Sequence, residues 1–287
     1  MTNTTVARFS GVEFVVCNDD PHYYNDVNGT RRGPFWHDFS TENWEPDTLR
    51  ALSLMAGAGA LTLYDIGAWI GPISLFSAAL GLDVVSVEPD PAAFLTLRQN
   101  ALSSRLSGKI NLINGAVCEG SSGRFVKLFT DSPGDSETSI MPKRIRSNIA
   151  RNFINSYTAV GISLSELFAL HKPRGDFILK IDIEGAEFSI IDDISHAVDK
   201  EGTNLLLSLH PENIVASDGS GRSANESHQR SVIAESVEKL PRRSNYYWKM
   251  KDWHIGNKGD LTQAAQERGE SIRSIIITDL DVASSLN

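Results

Sequence analysis

The sequence predicts an α/β fold: a seven-stranded, mostly parallel sheet with helices on both faces, preceded by an N-terminal hairpin. Three observations carry this. From Leu61 onward, short apolar runs alternate with segments of helical length, the pattern of strands joined by crossover helices. Runs such as Phe177-Ile178-Leu179 are unbroken by polar residues, as in strands buried on both faces. The chain has 287 residues, 41% apolar and 22% charged, enough to fill a sizeable core.

The elements follow in order. Residues 6–16 alternate around a Ser10-Gly11 turn and read as a hairpin. A stretch rich in Asp, Asn, Gly, Pro and aromatics runs on to Pro46, so residues 1–46 are expected to form a hairpin and lid segment and 47–287 the α/β domain. Asp47 is a plausible N-cap after Pro46 for a helix over 47–57. Strands are expected at 61–66, 83–88, 109–114, 176–181, 204–210, 245–251 and 273–278. Helices are expected at 71–80, 91–103, 163–171, 186–195 and 227–240. No good helix is evident between the last two strands, where 252–268 is polar and punctuated by glycine; an antiparallel pair at one edge suits that. The long interruption at 120–158 holds a strand-like piece, the turn signal Asp131-Ser132-Pro133-Gly134-Asp135 and the basic run Lys143-Arg144-Ile145-Arg146. It reads either as a solvated loop or as a substrate-facing lid.

Composition removes several classes of function. A formal charge of −9 argues against a general nucleic-acid binder, because phosphate backbones attract basic surfaces. Two cysteines, Cys17 and Cys118, provide neither a disulfide framework nor a tetrahedral zinc set. The polar N-terminus lacks the apolar segment of a signal peptide, and no apolar run approaches the roughly 20 residues of a membrane span. A cytoplasmic location is expected. The expected partner is a small-molecule or saccharide acceptor, with no membrane; the charge disfavours nucleic acid without removing it, and an oligomer is left open.

The stretch from Asp65 to Gly71 is a strand running into a glycine turn and then a helix. Gly67 and Gly71 let the backbone turn sharply and approach a ligand, and the helix that follows offers free N–H groups to a carboxylate. Asp65 could accept from an ammonium group; a methionyl moiety carries both charges. The next strand ends at Glu88, where an acid typically accepts from both ribose hydroxyls of an adenosine. A dinucleotide site would need a second glycine for the pyrophosphate, and Trp69 occupies that position. Together these signals point to S-adenosylmethionine.

Three strings, Asp65-Ile-Gly-Ala-Trp-Ile-Gly-Pro72, Val87-Glu-Pro-Asp90 and Leu179-Lys-Ile-Asp-Ile-Glu-Gly-Ala-Glu187, resemble the FkbM family of methyltransferases, as does Trp44-Glu45-Pro46 upstream. The likeness covers roughly residues 36 to 212. It implies a class I (Rossmann-like) methyltransferase fold and O-methylation of sugar or natural-product hydroxyls. By family pattern Asp65, Gly67 and Glu88 would bind the cofactor. The full expected cofactor set is Glu45, Asp65, Gly67, Ala68, Gly71, Glu88, Pro89, Ala116 and Asp182. Many members have Asn at the position of Trp69, and the resemblance is not traced beyond Pro211.

Methyl transfer to a hydroxyl requires alignment of acceptor and donor and removal of a proton. Ligands of open α/β sheets lie beyond the carboxyl ends of the strands. There the fourth strand presents Lys180, Asp182 and Glu184, and the fifth presents His210. These four are the expected catalytic residues, with His210 as a general base titrating near the ordinary histidine range. The competing structural reading is a Lys–carboxylate pair that satisfies its own charges. Asp182, Glu184, Glu187 and His210 could also hold a divalent ion, Mg²⁺ being the favoured guess. The aromatic clusters His22-Tyr23-Tyr24, Phe35-Trp36-His37 with Trp44, Tyr246-Tyr247-Trp248, and Trp253-His254 could lid the adenosine or stack on a sugar, or simply pack. N-methylation of a small molecule or peptide, cofactor binding without catalysis, and an RNA methyltransferase, against which the charge argues, are the alternatives.

Overall fold

In the computed structural model the described residues are 4–17, 35–120, 124–146, 149–199, 202–215 and 222–286. The hairpin forms as expected: β1 (Thr4–Phe9) and β2 (Val12–Cys17) pair antiparallel across Ser10-Gly11. It is followed by α1 (Phe35–Ser40) and α2 (Pro46–Gly57). Then β3 (Thr62–Ile66), α3 (Pro72–Ala79), β4 (Asp83–Val87), α4 (Pro91–Ser103) and β5 (Ile110–Ile113) alternate.

The long interruption holds β6 (Ala116–Val117), β7 (Phe125–Thr130), β8 (Lys143–Arg146), β9 (Ile149–Asn152) and β10 (Asn155–Ile162). The chain continues through α5 (Leu164–Leu170), β11 (Phe177–Ile181), α6 (Ile191–Val198), β12 (Thr203–Ser208) and α7 (Arg222–Lys239). It closes with β13 (Asn245–Lys249), β14 (Trp253–Gly256), α8 (Lys258–Arg268) and β15 (Ser274–Thr278).

The main sheet has the order β14-β13-β15-β12-β11-β3-β4-β5. The five strands from β12 to β5 run parallel; β15 is antiparallel to both β12 and β13, and β14 is antiparallel to β13. This is the class I methyltransferase arrangement with one strand added at the edge. The sheet therefore has eight strands where the sequence suggested seven, and α8 forms where no good helix was evident. Both departures have one cause. Asn257 caps α8 and Asp260 returns a hydrogen bond to its backbone, so the helix is set by its cap, while only Leu261 and Ala265 of its body are buried and the apolar periodicity is weak. The new edge strand is held by Trp253, whose indole donates to Asp47 at 2.8 Å, and by His254 stacked on Trp248.

Two apolar layers flank the sheet. One gathers α5, α6, α7 and α8 around Leu179, Leu205 and Ile277. The other gathers the hairpin, α1, α2 and α3 around Phe39, Phe76 and Ile178. Phe9 meets Phe76 edge-on, and the backbone N–H of Cys17 donates to Asn100, so the hairpin is joined to the domain's own core. Among the described residues no helix is long and apolar enough to cross a membrane. Strand order reverses beside β3: β4 and β5 lie to one side, β11 and β12 to the other. A crevice at the carboxyl ends of the strands is expected there.

Candidate active site

A cleft opens at that point. Its walls are Ile66 and Gly67 after β3, Val87, Glu88 and Pro89 after β4, Ala116 and Val117 of β6, and Asp182, Ile183, Glu184 and Ala186 after β11. The interruption adds Leu128, Asp135, Ser136, Thr138 and Ile140. Of the expected residues, Gly67, Glu88, Pro89, Ala116, Asp182 and Glu184 thus line the cleft, and Ala68, Gly71, Asp65, Lys180, His210 and Glu45 do not.

Glu88 is 6% exposed. Its Oε2 accepts from Trp69 N–H at 2.8 Å and its Oε1 from Asp90 N–H at 2.7 Å. Burial pushes its carboxyl up to about 8, against the pull of these two donors. Each carboxylate oxygen can accept more than one hydrogen bond, so capacity remains for a ligand's hydroxyls. Trp69 sits in the left-handed region at φ 48°, which turns its indole toward the interruption, where Nε1 donates to Gly134 O at 2.9 Å. Gly134 N–H in turn donates to Asp90 Oδ2 at 3.1 Å. The Asp131–Asp135 turn is therefore pinned to the rim of the cleft from two sides. Neither tie was evident in the sequence; the turn signal marked the loop but not what it meets.

Asp65 is fully buried. Ser74 Oγ donates to its Oδ2 at 2.5 Å, and Lys180 Nζ lies 3.3 Å from its Oδ1. Lys180 also reaches Asp182 Oδ2 at 3.5 Å and the Gly67 carbonyl at 3.2 Å. This follows from register, since Lys180 is paired with Asp65 across β11 and β3. Burial disfavours the ammonium, but Asp65, Asp182 and Glu45 outweigh it and hold Lys180 charged. Asp65 thus spends its charge on Lys180 rather than offering it to a ligand's ammonium.

Gly67 (φ 80°) packs so closely on the end of β11 that a Cβ would fall inside the Asp182 carbonyl oxygen. Gly71 (φ 95°) opens α3, and a Cβ there would meet Leu97. Glu45 precedes α2 at φ 42°, half-buried. Burial and the nearby Asp182 lift its carboxyl to about 7.

His210 lies two residues beyond β12, the parallel neighbour of β11. Its Nε2 is 3.3 Å from both Asp182 Oδ1 and Glu184 Oε1, and its Nδ1 is 3.3 Å from Glu187 Oε1. Burial would lower the imidazole, yet Glu184, Glu187 and Asp182 together raise it well above the usual range. The general base expected to titrate near the ordinary histidine value is thus held protonated in this arrangement by three carboxylates. Burial would raise Asp182, but Lys180 and His210 bring it below the usual carboxylate range, while burial lifts Glu184 far above it. Asn213, which the sequence reading passed over, donates to Glu184 Oε2 at 3.1 Å and to its carbonyl at 2.9 Å.

The aromatic clusters within the described residues are accounted for by packing. Phe35 and Trp36 are buried among Phe14 and Phe39, and Phe35 meets Trp69 edge-on. Tyr246, Tyr247 and Trp248 are core residues of β13. His22, Tyr23 and Tyr24 lie outside the described residues.

Residues 65–218, just over half of the chain, match the Methyltransferase FkbM domain. The chain belongs to the FkbM methyltransferase family. That makes it an S-adenosylmethionine-dependent methyltransferase. The matched span begins at Asp65 and contains Glu88, Asp182, Glu184, Glu187 and His210. No curated protein matches the sequence.

Solved structures similar to it include an O-methyltransferase from Bacillus cereus in complex with SAH, at 12% identity over 81% of this chain and 80% of that one, TM-score 0.42. Another is a methyltransferase FkbM from Methylobacillus flagellatus KT, at 12% identity over 85% of this chain and 52% of that one, TM-score 0.40. A third is a precorrin-6y C5,15-methyltransferase from Geobacter metallireducens GS-15, at 13% identity over 92% and 97%, TM-score 0.39.

Proposed function

We propose that this FkbM family member methylates a hydroxyl of a saccharide or secondary metabolite, with the cleft as its cofactor site. The observation that carries this reading is that Glu88 after β4 and Asp182 and Glu184 after β11 line one cleft. The first is a ribose acceptor; the other two stand where an acceptor hydroxyl must be held. The residues fit S-adenosylmethionine: a buried carboxylate with spare acceptor capacity, apolar walls from Ile66, Val87, Ala116 and Val117, and no Lys or Arg among the described lining residues to demand a phosphate. When bound, S-adenosylmethionine supplies an electrophilic methyl group and a neutral leaving thioether.

The rest is done by the chain. Glu88 takes the ribose hydroxyls, with Gly67, Ala68, Pro89 and Ala116 shaping the surface around them. Gly71 sets the start of α3. Asp65 acts through Lys180, which keeps Asp182 ionised, and Glu45 closes the same charge network from α2. Asp182 accepts the hydrogen bond of the acceptor hydroxyl and takes its proton as the oxygen is methylated. A weak base suffices, because the hydroxyl becomes strongly acidic only as the new bond forms. His210 and Glu184 fix the orientation of Asp182 from the side of β12. The ordered turn at 131–135 closes the cleft from above and excludes water.

Radiolabelled methyl transfer tests the reading. Wild-type protein should label hydroxyl-bearing saccharides or metabolites from a cell extract, and the product should resist the acid and base treatments that cleave methyl esters. Asp182→Asn and His210→Ala should each lower turnover on the order of a hundredfold, with cofactor affinity within a few-fold. The double variant should be little worse than either, because the two serve one step. Label found only on nitrogen would overturn the O-methyl assignment.

A further inference from the structure

We propose that Asp182, Glu184 and His210 form a binding site for one divalent first-row transition ion, of which Mn²⁺ is the representative. The site adjoins the end of the cleft lined by Asp182 and Glu184, and ion binding there does not require the cofactor.

The geometry comes first. Asp182 Oδ1 and Glu184 Oε1 each stand 3.3 Å from His210 Nε2, and one ligand atom from each residue lies within 4.8 Å of the others. Ligands at about 2.1 Å from a common ion and at right angles to one another are about 3 Å apart, close to the two 3.3 Å spacings around His210 Nε2. Two adjacent parallel strands deliver the set: β11 brings Asp182 and Glu184, and β12 brings His210. Glu184 is held in the left-handed region at φ 52° by donors on its carbonyl from Ser139 Oγ and Asn213 Nδ2. A strained residue fixed from both sides is an orientation the fold has paid to keep.

The support around the imidazole is the second line. Glu187 is fully buried; its Oε1 accepts from His210 N–H at 2.9 Å and faces Nδ1 at 3.3 Å, while its Oε2 accepts from Gly185 N–H at 2.8 Å. A bound ion would displace the Nε2 proton that the two carboxylates otherwise hold, and Glu187 behind Nδ1 keeps the remaining proton there, the arrangement found behind metal-bound histidines. Glu187, named in the sequence reading among four ligands, is thus a positioning residue and leaves three.

A third observation concerns the residue that holds Glu184. Asn213 is 2% exposed, its Nδ2 is committed to Glu184, and its Oδ1 is buried with no hydrogen-bond partner. A buried orphan oxygen calls for a partner, and a water carried by an ion beside Glu184 would supply one.

The ion's class follows from the donors. Two carboxylates and one imidazole suit Mn²⁺, Fe²⁺ or Zn²⁺, whereas Mg²⁺ prefers oxygen and retains its water. The Mg²⁺ of the sequence reading is therefore replaced by a softer ion.

The test uses chelator-treated full-length protein and Mn²⁺ alone. Titration followed by the electron paramagnetic resonance signal of free Mn²⁺ should show one bound ion per chain, and pulsed spectra should show a directly coordinated imidazole nitrogen. Asp182→Asn and His210→Gln should weaken binding by about a hundredfold or more, and Glu187→Gln by about tenfold to a hundredfold. Glu88→Ala should bind Mn²⁺ like wild type. S-adenosylhomocysteine affinity, measured on the chelated protein, reports the cofactor site separately, so failure there counts against the proposed function and not against the ion. Absence of Mn²⁺ binding at millimolar concentration, or binding without a nitrogen coupling in the wild type, would overturn the assignment whether or not the variants fold.

Discussion

Glu88 is a buried carboxylate whose two oxygens already serve two backbone donors, and its remaining capacity faces the cleft. Removing it by Glu88→Ala deprives two hydroxyls of a charged acceptor, at about 1.5–3 kcal/mol. S-adenosylhomocysteine affinity should fall on the order of tenfold to a hundredfold by calorimetry; unchanged affinity in folded protein would remove Glu88 from the site. The same carboxyl gives a pH dependence. It is raised to about 8 by burial, and its ionised form is the better acceptor, so binding releases a proton below that pH. Affinity should therefore climb between about pH 6 and about pH 8, by up to about tenfold per unit, and Glu88→Gln should flatten the climb. Gly67 behaves differently from what its motif suggests. The sequence reading makes it a ligand-approach glycine, but its missing Cβ is required by the Asp182 carbonyl. Gly67→Ala should cost about 3 kcal/mol or more in urea unfolding, through clash and a forced left-handed conformation. A variant as stable as wild type would show that the turn can relax.

At the scale of elements, strands and helices with a strong apolar period were legible. The sequence places β3, β4, β5, β11, β12, β13 and β15 within a residue or two of their observed bounds, because buried runs leave no other reading. Elements held by polar contacts were not. β14 and α8 depend on a capping box and on Trp253 bound to Asp47, partners 206 positions apart that no local window reveals. The interruption shows the same division: Asp131 to Asp135 announces a turn, but only the fold discloses that Trp69 and Asp90 hold it over the cleft. Trp69→Phe keeps a ring for Phe35 to pack on and deletes the donor to Gly134. That should leave stability within about 1 kcal/mol of wild type. It should also speed hydrogen exchange across residues 131–140 and weaken S-adenosylhomocysteine binding several-fold. Exchange unchanged in that segment would show that the indole is not its anchor.

Across the whole molecule, the order of parallel strands determines where chemistry can occur. The reversal at β3 opens a crevice, and the chain furnishes it from β4 on one side and from β11 and β12 on the other. The sequence allowed this to be anticipated because Glu88, Asp182 and His210 each follow an apolar run. It did not disclose the division of labour among the charges. Asp65 belongs to Lys180 and Glu187 to His210, pairings that depend on register and on the neighbouring strand. The reading of residues 1–46 as a hairpin and lid remains a proposal. The hairpin's aromatic side chains join the core of the α/β domain, so its removal should lower the melting temperature of the remainder.

A crystal structure of the protein with S-adenosylhomocysteine tests the central claim most directly. The ribose hydroxyls should lie within hydrogen-bond distance of the Glu88 carboxylate, the adenine among Ala116, Leu128 and Ile140, and the sulfur facing Asp182. Ligand bound elsewhere, or in this cleft with its sulfur turned away from Asp182 and Glu184, would contradict the account.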